Sequence, residues 1–206
     1  MKSFLRLLFC LTIALTTATV SSAQDKMRET PYLPLQVGNS WTYKIGDKSF
    51  ILKVAEHEKV GGVLCARVEM RLVGSAGAAA KVQTFEHLAI AEDGIYRHSI
   101  GGTQLDKPVC ILKLPPKKGD SWTIDAKGPG ESLKGTVKAG EEAEVKVPAG
   151  TYKKVATSTC DDLDANGLKC AFTYYFAEGV GVIKQQITIG AEKTVLELEK
   201  FEPGKK

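Results

Sequence analysis

Apolar and polar side chains alternate with a period of two along most of this chain. The clearest case is Val63 to Val73, where Leu64, Ala66, Val68, Met70 and Leu72 fall on one face and Cys65, Arg67, Glu69 and Arg71 on the other. That is the signature of a strand with one buried and one wet face. Similar runs predict strands from Trp41, at about Ser49–Glu58, Val82–Ile90, Gly94–Ile100, Ser121–Asp125, Ser132–Lys138, Ala143–Val147, Thr151–Cys160, Leu168–Phe176, Val182–Ile189 and Thr194–Phe201. Gly61-Gly62, Glu92-Asp93 and Pro148-Ala149-Gly150 supply turns between them. Gly74 to Lys81 reads as a loop of small residues, and Gly101 to Pro108 as a connector. Apolar residues never recur at helical spacing over two turns. The fold class expected is all-β: an antiparallel barrel or a two-sheet sandwich.

The pattern also repeats at a larger scale. Gly38-Asn39-Ser40-Trp41-Thr42 returns as Gly119-Asp120-Ser121-Trp122-Thr123, an offset of 81 residues, and these hold the chain's two tryptophans. Leu33-Pro34 and Leu52-Lys53 return at the same offset as Leu114-Pro115 and Leu133-Lys134. Two pseudo-repeated halves follow, about 31–105 and 112–201, each giving its strands to one shared core. Both tryptophans then belong to fold maintenance, in equivalent surroundings.

The first residues follow a different rule. Lys2 and Arg6 precede an apolar run from Leu7 to about Val20, which ends at Ser21-Ser22-Ala23. This reads as a cleavable export signal over residues 1–23, leaving a single β domain at 24–206. Removing Lys2 and Arg6 leaves 26 basic residues against 24 acidic ones. That near-neutral balance argues against nucleic acid as a partner, and no later apolar run suits membrane insertion. The expected location is the periplasm or the cell exterior. With Cys10 removed in the signal, the four remaining cysteines suggest disulfides: Cys160 with Cys170 across a hairpin centred on Ala165, and by elimination Cys65 with Cys110.

Candidate chemistry is sparse. Asp162, Asp164, Asn166 and Gly167 match the first half of a calcium loop, but Thr173 stands where the bidentate Glu belongs. Turn geometry alone favours the same residues. His87 and His98 would face each other if the hairpin turned at Glu92-Asp93, yet no third metal ligand is evident. No nucleophile elbow or metalloprotease motif occurs, so no catalytic residue is assigned and no cofactor is expected. Should the interior hold a cavity, Tyr43, Phe85, Tyr96 and Tyr174 are the aromatic residues expected to line it.

Four segments in order carry a family resemblance: Tyr32-Leu33-Pro34-Leu35 with Gly38-Asn39-Ser40-Trp41-Thr42-Tyr43, then Gly119-Asp120-Ser121-Trp122, then Val147-Pro148-Ala149-Gly150-Thr151-Tyr152, and last Tyr175-Phe176-Ala177-Glu178-Gly179-Val180-Gly181-Val182-Ile183-Lys184. In these the chain resembles the TapB-like family of secreted bacterial proteins, related to a domain of unknown function. The resemblance implies an exported all-β protein and brings no catalytic residues. Three functional readings stay open. The first is a non-catalytic module binding an apolar small molecule in the cell envelope. The others are a structural or protein-interaction module with a filled interior, and a secreted hydrolase.

Overall fold

The computed structural model describes residues 26–73, 81–128 and 131–205. The export signal expected at 1–23 and most of the expected loop at Gly74–Lys81 lie outside them. Among the described residues, twelve strands form a single antiparallel sheet. They are β1 (Ser40–Ile45), β2 (Lys48–Val60), β3 (Val63–Leu72), β4 (Val82–Ile90), β5 (Gly94–Ile100), β6 (Thr103–Lys113), β7 (Ser121–Gly128), β8 (Glu131–Val147), β9 (Gly150–Ala165), β10 (Leu168–Ala177), β11 (Gly181–Ile189) and β12 (Glu192–Glu202).

The order across the sheet is β6-β5-β4-β3-β2-β1-β12-β11-β10-β9-β8-β7. Two six-stranded meanders are therefore joined along β1 and β12, with Ser40 opposite Glu202 and Lys44 opposite Glu197. The sheet curls until its edges β6 and β7 lie side by side, a barrel closed all round except at that seam. Side chains bridge the seam: Trp122 Nε1 donates to the Cys110 carbonyl at 2.9 Å, and Lys113 Nζ to the Ser121 carbonyl at 3.2 Å. Pro108, which has no N–H for a ladder, sits inside β6, an edge strand where that loss is tolerated. The segment read as a connector is thus largely β6, and the two strands read at Ser132–Lys138 and Ala143–Val147 are one, β8.

The turns before β1 and β7 are built alike. Gly38 and Gly119 both hold φ at 93°, in the region that favours glycine. Gly38 N donates to Val54 O at 2.9 Å and Gly119 N to Ala139 O at 2.9 Å, while Asn39 N reaches Gln36 O and Asp120 N reaches Lys117 O, each at 3.1 Å. The indoles are less alike. Each donates to a carbonyl of the other meander, Trp41 Nε1 to Val180 at 2.6 Å, but Trp41 is buried and stacks on Phe201 while Trp122 is half-buried under Lys113.

Alternate residues turn inward and form the core, with Phe176, Ile95, Leu112, Ile183 and Leu198 fully buried. One end of the barrel is plugged. There Leu33 and Leu35 of the lead-in are buried, held by Gly179 N on the Pro31 carbonyl (2.8 Å) and by His57 Nε2 on the Leu35 carbonyl (2.7 Å). His57, set between Glu56 and Glu58 on β2, is therefore part of that plug. On the outside, the tip of the β2–β3 hairpin folds over β4 to β6: Glu58 bonds His87, and Gly61 lies against the Gln104 side chain.

The cysteine pairings expected from the sequence are not formed; all four thiols are free. The β9–β10 hairpin closes at Asn166-Gly167 and not at Ala165, which puts Cys170 opposite Leu163 and Cys160 opposite Phe172. Cys65 on β3 and Cys110 on β6 have β4 and β5 between them, about 14 Å along the sheet at ~4.8 Å per strand.

Candidate functional site

Opposite the plug, the barrel is open. The β5–β6 hairpin turns at Gly101-Gly102, level with Phe85, whose carbonyl accepts from Gly102 N at 3.1 Å. The wall is therefore low there. A cleft of about 220 Å³ enters beside this turn, lined by Phe50, Leu52, Met70, Ile100 and Leu196. It shares Leu52, Val68, Glu86, Gln185 and Leu196 with an inner chamber of about 60 Å³. Six of the eight large apolar side chains exposed among the described residues lie at or beside the strand ends of this half of the barrel: Ile45, Leu72, Val73, Ile100, Leu168 and Ile189.

The chamber wall carries a charged pair. Arg97 Nε donates to Glu86 Oε2 at 2.5 Å, and Arg97 Nη2 donates to the Tyr174 hydroxyl at 3.2 Å. Glu86 reaches the interior because β4 turns Glu86, Leu88 and Ile90 to one face; Arg97 follows Ile95 by two residues on β5 and stands opposite Leu88. The two side chains keep 26% and 20% of their surface exposed, onto the cavities they line. Burial, the largest influence on Arg97, disfavours its charge, but Glu86 and Tyr174 outweigh it and hold the guanidinium above its ordinary range. Arg97 is thus a fixed cation. Tyr43 donates to the Val182 carbonyl at 2.6 Å. Burial, then the Glu86 charge, pushes its phenol far above the ordinary range, so it stays neutral. Ser158, paired with Tyr174 across β9 and β10, buries its hydroxyl with no hydrogen-bond partner.

Of the four aromatics expected to line a cavity, Tyr43 and Tyr174 line the chamber and Phe85 only the mouth. The Phe85 ring lies outside the barrel under the Arg67 guanidinium, 3.9 Å from its centroid. Tyr96 also faces outward and donates to Asp93 at 2.9 Å. The sequence reading missed Glu86 and Arg97. Their signal was a charge at inward parity on each of two otherwise apolar strand faces.

The histidines do not face each other. A bulge at His87/Leu88 shifts the register, so His87 stands opposite Ser99, while Ala89 stands opposite Tyr96. Ser99 Oγ accepts from the His87 backbone N–H at 3.0 Å and lies 2.7 Å from Nδ1, while Nε2 lies 2.7 Å from Glu58 Oε1. With the hydroxyl proton directed to Nδ1, the ring proton sits on Nε2 and points at the carboxylate. The order of groups is that of a nucleophile, base and acid. However, Ser99 is 1% exposed beneath the β2–β3 hairpin, so its hydroxyl does not meet solvent; the chain of bonds acts as a strap holding Glu58 over β4 and β5.

The oxygens of the acidic hairpin are taken up by the neighbouring strand β8 and by the hairpin itself. Asp162 accepts from Thr136 N at 2.8 Å, Asp164 from Gly167 N at 2.7 Å and Lys169 Nζ at 2.8 Å, and Asn166 from Ser132 N at 2.6 Å. Among the described residues no group of three His, Cys, Asp or Glu side chains could hold a metal ion.

No protein-family model and no curated protein matches this sequence. Two solved structures are similar to it. One, a "putative lipoprotein" from Parabacteroides distasonis, aligns with a TM-score of 0.52 at 10% identity, over 84% of this chain and 99% of that one. The other, a "putative exported protein with YmcC-like fold" from Bacteroides fragilis, gives 0.48 at 12% identity over the same shares. At such identities the first likeness is one of fold alone.

Proposed function

We propose that this chain is an exported, non-catalytic binding protein that takes a small amphiphile at the open end of its barrel. The observation carrying this reading is the apolar cleft of about 220 Å³ leading to a chamber whose wall bears Glu86, Arg97 and Tyr174. Together the two spaces approach the lower end of the ~300–1,000 Å³ range of small-molecule sites. The chamber alone, at about 60 Å³, admits a head group and not a whole ligand. An enclosed apolar ligand is therefore replaced by one seated at the mouth. Export rests on the charged, apolar and small-residue sequence of residues 1–23. Duplication of a six-stranded unit accounts for the matched turns at Gly38 and Gly119.

The small chamber also favours a second reading, a structural or protein-interaction component of the envelope with its interior filled. Titration with the apolar fluorophore N-phenyl-1-naphthylamine separates the two. Saturable binding that is lost in Met70→Trp, which fills the cleft, supports a ligand site. Absence of saturable binding, or binding indifferent to that substitution, favours the filled barrel.

A further inference from the structure

Resting on the amphiphile reading above, we propose that the chamber selects an uncharged head group that both donates and accepts a hydrogen bond, a primary alcohol, over a carboxylate or an ammonium. A guanidinium carries five N–H donors, and those of Arg97 bonded to the protein are on Nε and Nη2. Nη1 remains for a ligand. Glu86 commits Oε2 to Arg97 and leaves Oε1 without a protein donor. Because Arg97 Nη2 donates to the Tyr174 oxygen, the phenolic proton is also available. The wall thus offers an acceptor at Glu86 and donors at Arg97 and Tyr174, and its formal charges cancel.

A hydroxyl group matches this set, donating to Glu86 Oε1 and accepting from Arg97 Nη1. A carboxylate could accept from Arg97 but would face Glu86, and an ammonium would face Arg97. Either ion would also lose its water within walls formed by Leu33, Leu35, Leu52 and Leu88, where an unmatched charge is costly. Size restricts the head further. About 60 Å³ is room for a hydroxyl and its carbon but not for a sugar. The apolar body then lies in the cleft against Phe50, Met70 and Leu196.

The test is a calorimetric titration of the full chain at pH 7 with 1-octanol, octanoate and octylammonium, which share a tail and differ in the head. Octanol is expected to bind at least about tenfold more tightly than either ion. Glu86→Gln removes the repulsion and leaves Arg97 uncompensated, so octanoate should overtake octanol. Arg97→Gln leaves Glu86 uncompensated, so octylammonium should overtake octanol, which provides the check if Glu86→Gln fails to fold by circular dichroism. Equal binding of all three ligands, still abolished by Met70→Trp, would refute head selection and leave the amphiphile site standing. No binding by any of them would remove the site itself.

Discussion

Arg97→Met would take away the guanidinium while keeping most of the stem that packs beneath it. Glu86 would then hold a carboxylate in the barrel wall with no opposing charge. Breaking a fully buried pair in this way costs about 3–5 kcal/mol. A fifth to a quarter of each side chain meets the cavities, so about 2–4 kcal/mol is the expected loss. For a domain of this size, each kcal/mol moves Tm by about 2–4 °C, so the melting temperature should fall by about 4–16 °C. The double variant Glu86→Leu, Arg97→Met removes both charges and lets apolar groups meet. It should regain most of the loss, because an ion pair in such a setting contributes little net stability over apolar replacements. Urea unfolding followed by circular dichroism reads both variants as shifts in midpoint at constant slope. A single variant within about 0.5 kcal/mol of the parent, or a double variant no better than the single, would refute the account of the pair.

Trp41→Phe should cost about 1–3 kcal/mol in thermal unfolding, since it orphans the Val180 carbonyl in a buried setting, and Trp122→Phe should cost less because its site is wetter. Gly102→Ala should destabilise more than Gly46→Ala in urea. Both glycines hold positive φ, at 79° and 58°, but a Cβ at Gly102 would stand 2.6 Å from the Phe85 ring while one at Gly46 meets nothing within 4 Å. Mass spectrometry after brief alkylation at pH 8 should find Cys170 modified first and no disulfide. Burial pushes the thiols of Cys65, Cys110 and Cys160 up to about 11, leaving little thiolate there. The Asp164 carboxyl, held low by Lys169 and the Gly167 N–H, should titrate by NMR below the unperturbed 3.8; its contribution to the hairpin is present above that pH and lost as pH falls through the lower folded midpoint. A midpoint at or above 3.8 would contradict the bonds seen at the turn.

What the sequence made legible was the part governed by local rules. Alternation and turn residues located most strands, because one face of each is buried and a one-residue slip would expose it. What escaped it were bulges. The extra residue, His98 on β5 opposite the step from His87 to Leu88, leaves no trace in composition, yet it brings Ser99 opposite His87. The two-residue turn at Asn166-Gly167 was visible as a hairpin signal, but centring it on Ala165 carried both cysteines into the wrong register. β6 was hidden by Pro108, whose presence argues against a strand until the strand proves to be an edge. Glu86 and Arg97 were legible in principle, as charges on inward faces; only the curling of the sheet brings Tyr174, from the other meander, to meet them.

The pairing of β1 with β12 sets an order on how this molecule can be made. Ser40 and Glu202 are neighbours in space and nearly the whole described chain apart in sequence, so the first strand synthesised waits for the last before its free edge is satisfied. Until then the leading meander stands as a sheet with a bare flank, open to pairing with a second nascent chain. A cut in the Pro115–Asp120 link, with the present termini fused, would make the late contact a local one, so such a circular permutant should fold faster than the natural chain.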